Sequence, residues 1–108
     1  MGELFLLYVT YPDKGKAEET ALHLIEKRLI ACANIFPIAS VYVWEGKTAK
    51  ESECVLLAKT VREKLAQAKK EIKAKHPYKI PCILTLKADA NAEFFAWARD
   101  VIGVGDGC

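Results

Sequence analysis

The spacing of hydrophobic residues in the first third of the chain changes from a continuous run to a helical repeat. Residues Leu4–Thr10 are almost all apolar and include β-branched and aromatic types, which favours a strand buried on both faces. Pro12 and Asp13 end this strand, because proline cannot donate to a ladder and aspartate is a common N-cap. Apolar residues then recur every three or four positions over Gly15–Ile30, which predicts a helix with one face on the core.

The middle of the chain has the pattern of a long hairpin. Residue types that favour extended chain dominate Cys32–Glu45, and Pro37 within this segment predicts a bend or a bulge. Residues 45–47 predict a tight turn, since Gly46 can take a positive φ. A return strand follows over Lys50–Lys59, so one short turn joins two long strands.

The last third predicts a helix, a strand and a final short helix. Thr60 and Glu63 have the spacing of a capping box, and the helix that they open ends at His76-Pro77. A fourth strand is predicted over Ile80–Ala88 and a last helix over Asn91–Val101. The order β-α-β-β-α-β plus a terminal helix is the split βαβ, or ferredoxin-like, arrangement of the α+β class. We expect one domain over residues 1–102 and a flexible tail over residues 103–108.

One face of the predicted sheet has no element to cover it. Both long helices bury their apolar stripes against the same face of the four strands. A monomer would leave the other face in water as a large apolar patch. We therefore expect copies of the chain to associate through the sheet or the hairpin.

Composition and charge exclude several classes of protein. The chain has 108 residues, of which 52% are hydrophobic, with a net charge of +2, so we expect a single packed domain that binds neither nucleic acid nor anionic membranes through its overall field. No apolar run reaches the roughly 18–20 residues of a membrane span, and the first residues lack the features of a signal peptide, which predicts a cytoplasmic protein. The four cysteines contain no C-x-x-C pair, so we expect reduced thiols, with Cys108 in the tail.

Two segments combine polar and aromatic residues in a way that suits a binding site. In the first, Tyr42 and Trp44 share one face of the hairpin beside Glu45 and Lys47, as in the wall of a pocket. The alternative is that the two aromatic residues stabilise the hairpin or pack in a subunit interface. The second segment contains His76, which is a candidate metal ligand or proton carrier, or else a histidine that hydrogen-bonds at a helix end.

Three further side chains are candidates for binding a cation. Glu51 and Glu53 lie two residues apart and share a strand face, where they suit a hard cation or acid–base chemistry, or remain exposed charges. Cys82 follows Pro81 and supplies a soft ligand if His76 lies close to it. The chain has no nucleophile elbow, phosphate-binding loop or paired-histidine motif, so we expect no enzymatic activity.

Five short motifs follow one another along the chain: Ala31-Cys32-Ala33-Asn34, Ser40–Lys47, Glu51-x-Glu53, Lys59-Thr60 and His76-Pro77-Tyr78-x-x-Pro81. With Pro37, they resemble the CutA-type divalent-ion tolerance family, over a match from Leu4 to about Val101. The resemblance implies a ferredoxin-like protomer in a cytoplasmic homotrimer, assembled as PII-type signalling proteins are. It also implies a link to tolerance of copper and other divalent metals, with no enzymatic reaction attached.

The resemblance also implies which residues line a cleft between protomers: Tyr42, Trp44, Glu45, Lys47, Glu51, His76 and Tyr78. We expect a divalent metal ion, copper or zinc, to bind at this cleft through His76, Cys82 and Glu51. Bacterial relatives with proposed copper ligands carry cysteine and histidine where this chain has Val9 and Lys75, and the family usually has glutamate where this chain has Cys82. The thiol favours a softer metal at this position.

Three functional hypotheses follow. The favoured hypothesis is a non-enzymatic trimer of divalent-metal homeostasis that binds its ion at the cleft. The alternative is a PII-like module that senses a small ligand and alters its contacts with a protein partner, which requires a mobile loop. The least favoured is an enzyme with His76 as general base and Lys47 or Glu45 as charge stabiliser.

Overall fold

The elements of the fold follow the predicted order. The computed structural model describes residues 2–104. Its elements are β1 (Gly2–Tyr11), α1 (Lys14–Glu26), β2 (Cys32–Trp44), β3 (Lys47–Thr60), α2 (Arg62–Lys75), β4 (Ile83–Ala90) and α3 (Ala92–Ile102). The strands form one antiparallel sheet in the order β2-β3-β1-β4, so the central strands are β3 and β1. This is the ferredoxin-like α+β fold, and the prediction of fold class is confirmed.

The main core lies between one face of the sheet and helices α1 and α2. Alternate residues of β1 face the helices, and they include the fully buried Leu7, Val9 and Tyr11. Leu24 from α1 and Ile72 from α2 pack against them. A second cluster lies beneath α3 and contains Leu4, Ala31, Val61, Ala98 and Ile102. Together the two clusters fix all three helices on the sheet.

Helix α1 begins as predicted and ends four residues early. The side chain of Asp13 accepts a hydrogen bond of 2.8 Å from the amide of Lys16, so the predicted N-cap is confirmed. The helix ends at Glu26 instead of Ile30, because Arg28 takes a left-handed conformation with φ of 57°. Leu29 and Ile30 are buried beyond this turn, and the backbone continues into the sheet.

The predicted capping box at the start of α2 is wrong. Thr60 is the last residue of β3, and Val61 is the N-cap without a side-chain hydrogen bond. The hydroxyl of Thr60 is fully buried and donates to the carbonyl oxygen of Leu29 at 2.6 Å. Glu63 instead forms a two-pronged ion pair with Arg99 of α3. Thr60 and Glu63 therefore bond to residues from distant parts of the chain instead of forming the capping box that their spacing suggested.

The hairpin of β2 and β3 is continuous and has the shortest common turn. Strand pairs run without interruption from Cys32–Lys59 to Trp44–Lys47, so Pro37 introduces no bulge. Proline is tolerated there because β2 is an edge strand, and one side of an edge strand has no ladder to donate to. The turn consists of Glu45 and Gly46 at φ of 51° and 79°, the positive values that a type I′ turn requires.

The C-terminal boundaries also differ from the prediction. Strand β4 begins at Ile83 instead of Ile80. Pro81 lies between these two positions and has no N–H to donate to the ladder. Helix α3 closes with a Schellman motif, in which Gly103 has φ of 90° and the amide of Val104 donates to the carbonyl of Arg99. Gly103 and Val104 thus belong to the helix end, whereas residues 105–108 of the predicted tail, with Cys108, lie outside the described residues.

The sheet face opposite the helices is open, as the pattern predicted. Leu84 and Leu86 on this face are about half exposed. The hairpin also extends past the helices, so that Val41 and Val43 on its other face are 68% and 71% exposed. The molecule is accordingly elongated, with extents of 53 × 24 × 20 Å. No helix within residues 2–104 is both long and apolar enough to cross a membrane.

Candidate functional site

A groove of about 830 Å³ lies on the open face of the sheet. Its floor comes from β1 and the hairpin, and one wall is the segment from Pro77 to Ile80, between α2 and β4. The volume falls within the range of about 300–1,000 Å³ that is usual for small-molecule sites. The groove is therefore the candidate binding site of this chain.

Strand alternation explains which side chains reach the groove. Ser40 pairs with Glu51 and Ile38 pairs with Glu53, and directly opposed residues of an antiparallel pair share a face. Tyr42 and Trp44 continue the same alternation along β2. The carboxylates and the aromatic rings consequently lie on the face that the helices do not cover.

Each of the two carboxylates accepts a hydrogen bond from a tyrosine. Tyr78 donates its hydroxyl to Glu53 at 2.6 Å, and Tyr42 donates to Glu51. Burial, together with the hydrogen bond to Glu53, raises the pKa of Tyr78 well above 10, and the hydrogen bond to Glu51 raises the pKa of Tyr42. Both phenols therefore remain protonated at neutral pH and act as donors.

The negative charge of this pair has no ionic partner among residues 2–104. Glu53 is only 9% exposed, whereas Glu51 is exposed. Within the described part of the chain, no lysine, arginine or histidine nitrogen lies within 4 Å of either carboxylate. A carboxylate that is mostly buried and has only a phenol as its side-chain partner favours binding of a cation.

His76 lies behind the groove wall and uses both ring nitrogens within the chain. Its Nδ1 accepts from the amide of Tyr78 at 3.0 Å, and its Nε2 is 2.7 Å from the carbonyl oxygen of Thr10. An amide can only donate, so Nδ1 carries no proton and Nε2 donates to Thr10. Burial lowers the pKa of His76, with partial opposition from the bond to Thr10. For His76 to bind a metal ion, one of these two hydrogen bonds must break.

The groove collects five of the eight residues that the sequence singled out: Tyr42, Trp44, Glu51, Tyr78 and Cys82. Glu45 and Lys47 lie at the exposed hairpin turn, and none of the groove lining comes from His76. The sequence analysis considered Glu53 beside Glu51 as a candidate for binding a cation, but neither the predicted ligand set nor the predicted cleft included it. Only the fold reveals that Glu53 is the more buried of the two.

Metal ligands were predicted at His76, Cys82 and Glu51. Across residues 2–104, the structure brings no three histidine, cysteine, aspartate or glutamate side chains together in a cluster that could hold a metal ion. Cys82 is a free, partly exposed thiol on the groove, with Glu51 on the same groove. One chain thus offers two of the predicted donors on this surface, fewer than the four that a zinc site normally uses.

The chain is an α+β protein whose sheet has one bare face, a protruding hairpin and an anionic, aromatic groove. These features define its structural class, and comparison with known proteins identifies its family. Residues 5–101 match the model of the CutA1 divalent ion tolerance protein family. The divalent-cation tolerance protein CutA of Archaeoglobus fulgidus is 40% identical over 97 residues, which are 89% of this chain and 95% of that protein. The Thermotoga maritima protein of the same name is 39% identical over 92% of this chain and 99% of its own length. The chain therefore belongs to the CutA1 family.

Solved structures agree with this assignment. The crystal structure of the divalent ion tolerance protein CutA1 from Ehrlichia chaffeensis superposes with a TM-score of 0.89 at 40% identity, covering 94% of this chain and 97% of that one. The structure of CutA from A. fulgidus, described as a periplasmic divalent cation tolerance protein, has a TM-score of 0.88 at 39% identity, covering 92% and 98%. The resemblance that the sequence motifs indicated is confirmed.

Proposed function

We propose that this chain is a divalent-cation tolerance protein that works without catalysis, as a homotrimer that binds divalent cations at or near its interprotomer clefts. The observation that carries the proposal is the match of residues 5–101 to the CutA1 family. The anionic groove supports it, because its two carboxylates lack an ionic partner among the described residues. The PII-like alternative needs a mobile signalling loop, whereas the hairpin turn has two residues.

Self-association is supported by the hairpin and by the open sheet face. Val41 and Val43 are more than two-thirds exposed on one side of the hairpin, and Trp44 is 47% exposed on the other. β2 and β4 are edge strands, whose unpaired backbone groups can extend the sheet into a neighbour. Further copies of this chain are the occupants that we propose for these surfaces, and three copies close into a ring.

Metal binding in this proposal combines donors of the groove with donors from elsewhere. Glu51 and Cys82 supply a carboxylate oxygen and a thiolate, and a neighbouring protomer or water supplies the rest. A mixed oxygen and sulfur set suits zinc or copper better than magnesium or calcium. The proposal includes a cytoplasmic location, which differs from the periplasmic description of the A. fulgidus relative.

Sedimentation equilibrium tests the assembly. We expect about three times the chain mass of 12.0 kDa, and Val43→Lys should shift the population towards smaller species. Leu22→Lys is the matched control, because Leu22 is equally exposed, at 70%, but lies on α1 away from the hairpin. A monomer over the whole concentration range contradicts the proposed trimer.

Calorimetric titration of the reduced protein with zinc and copper tests the metal site. We expect stoichiometric binding that Glu51→Gln and Cys82→Ser each weaken by about tenfold or more, and that Glu26→Gln leaves unchanged, since Glu26 is an exposed residue of α1. His76→Ala is a poorer test of ligation because it also breaks the bonds to Thr10 and Tyr78. Binding that is absent, or that ignores both substitutions, contradicts the proposed site.

A further inference from the structure

We infer that the outer face of helix α2 is a docking surface for an acidic segment of a partner protein. The inference goes beyond metal tolerance, and it concerns the helical side of the sheet, opposite the surfaces that we propose for self-association. Two observations carry it: the excess of positive charge on α2, and the absence of ion pairs for its lysines within residues 2–104.

Positive charge is concentrated on α2. Its 14 residues contain six basic and two acidic side chains, whereas the whole chain has a net charge of only +2. The rest of the chain therefore carries a net negative charge. The positive charge of this protein is thus a local feature of one helix and not a property of its whole surface.

The two acidic residues of α2 do not neutralise its lysines. Glu63 forms an ion pair with Arg99 of α3, and Glu71 contacts His23 and Lys27 of α1. Both carboxylates are therefore held by bases of the neighbouring helices. Five lysines of α2 form no ion pair within 4 Å with an acidic side chain of the described residues: Lys64, Lys69, Lys70, Lys73 and Lys75.

Three of these lysines lie together on the solvent side of α2. Ala68 and Ile72 are fully buried and mark the side of the helix that packs on the core. Lys70 lies two positions from each of them, which places it on the opposite side of a helix with 3.6 residues per turn. Lys73 lies three positions beyond Lys70 and four beyond Lys69, and all three are exposed. Like charges at these spacings repel one another, and a bound anion relieves that repulsion.

The helix dipole accounts for only part of this charge. Lys73 and Lys75 lie in the last turn, where basic side chains interact favourably with the dipole. That effect falls off within one turn, so it does not explain Lys69 and Lys70. A partner with negative charge supplies the counter-charge that the described residues do not provide.

The composition of α2 favours an acidic peptide over other anionic partners. Its bulky apolar residues, Leu65 and Ile72, pack in the core, so the outer face has nothing to insert into a membrane. The helix contains no aromatic residue to stack on the bases of a single-stranded nucleic acid. The net negative charge of the rest of the chain also opposes a long polyanion that extends past the helix.

The shape of the outer face suits a short peptide. Helix α2 is about 21 Å long, which matches carboxylates spaced along a few helical turns or a short extended segment. Ala66 and Ala74 lie four positions on either side of Lys70 and are exposed. Because their side chains are short, the backbone of a partner can approach the lysines closely.

The test is a fluorescence anisotropy titration of the whole chain, treated with chelator, at its natural oligomeric state. The probe is a fluorescein-labelled peptide of alternating glutamate and alanine, and the matched neutral probe replaces every glutamate by glutamine. We expect saturable binding of the acidic peptide at low ionic strength and at least about fivefold weaker binding of the neutral one. Added salt should weaken the binding of the acidic peptide.

Substitutions locate the binding on α2. Lys70→Gln combined with Lys73→Gln should weaken binding of the acidic peptide by about fivefold or more. The control is Lys14→Gln combined with Lys16→Gln, which removes the same charge from exposed positions of α1 and should leave the affinity nearly unchanged. Circular dichroism and sedimentation verify that each variant keeps its fold and its assembly.

Several outcomes would overturn the inference: equal binding of the two peptides, no binding of the acidic peptide at low salt, or equal weakening by both double variants. Binding of phosphatidylserine vesicles or of a single-stranded oligonucleotide, without binding of the peptide, would assign the surface to another class of partner and would overturn it as well. None of these outcomes depends on zinc or copper, so a failure here leaves the proposed function standing.

Discussion

His76 Nε2 lies 2.7 Å from the backbone carbonyl oxygen of Thr10, and this bond joins the end of α2 to the central strand β1. The ring also stacks on Tyr11 with centroids 4.4 Å apart. Its second nitrogen accepts from the amide of Tyr78, the residue whose hydroxyl binds Glu53. His76 thereby holds the groove wall in place, and it affects the carboxylates through Tyr78 without contacting them.

This arrangement predicts a loss of stability in mild acid. Burial lowers the pKa of His76 in the folded chain below its usual 6.5, so the unfolded chain takes up the proton first as pH falls. The contribution of neutral His76 is therefore fully present above about pH 6.5 and declines below it. We expect the urea midpoint to fall between pH 7.5 and 5.5, measured by circular dichroism at fixed protein concentration.

Substituting each histidine separately assigns that effect. His76→Gln should reduce the pH dependence and lower stability at pH 7.5 by about 1–3 kcal/mol, because buried polar partners lose their bonds. His23→Gln is the control, since His23 binds the Glu71 carboxylate on the helical side of the molecule at 2.7 Å. If both variants retain the full pH dependence, His76 is not its source.

Close packing at the start of β1 predicts a steric penalty. Gly2 is buried, and a Cβ placed on it would overlap the ring of Phe95 from α3. Gly2→Ala should destabilise the fold by about 1–3 kcal/mol, as overpacking usually does. Gly15→Ala is the control, because its Cβ would meet only Asp13 Oδ1 at 3.4 Å. Equal thermal midpoints for both variants would show that the ring moves aside without cost.

The buried hydroxyl of Thr60 predicts a second, independent penalty. Thr60→Val keeps the shape of the side chain but leaves the carbonyl of Leu29 without its 2.6 Å donor. We expect a loss of about 1–3 kcal/mol in urea unfolding, the usual cost of an unsatisfied buried group. Thr48→Val on the exposed part of β3 should change stability by less than about 0.5 kcal/mol. Similar losses in both variants would argue for a general effect of threonine on the strand.

These cases show where reading the sequence succeeds and where it fails. Element type and order were predictable because the apolar spacing is strong and Asp13 caps its own helix locally. The end of α1 was not, because the contacts that bury Leu29 and Ile30 come from distant elements. The role of Thr60 was missed for the same reason, since its partner lies 31 residues earlier in the chain.

The sequence predicts which strand face carries the site residues, but it does not predict how deeply each of them is buried or what it contacts. Alternation along the hairpin predicted a shared face for Tyr42 and Trp44 and another shared face for Glu51 and Glu53, since strand periodicity is a local property, and all four lie on the groove. The sequence does not reveal that Tyr78 crosses to Glu53, because that contact spans 25 residues and depends on a loop. Nor does it show that both ring nitrogens of His76 form hydrogen bonds with backbone groups. Long-range hydrogen bonds thus decide which polar residues remain available to bind a ligand.

The ion pair between α2 and α3 predicts an unusually acidic carboxyl group. Arg99 donates to both oxygens of Glu63, at 3.0 and 2.6 Å, and this lowers the pKa of Glu63 from 4.5 to about 2. A lowered pKa stabilises the fold above pH 4.5 and loses that effect as pH falls towards 2. NMR titration of the Glu63 side chain in Arg99→Gln should return its pKa towards 4.5. Glu93, whose pKa is lowered by its own backbone amide and by Asn91, should not respond, and a matching change at Glu93 would indicate that α3 has shifted as a whole.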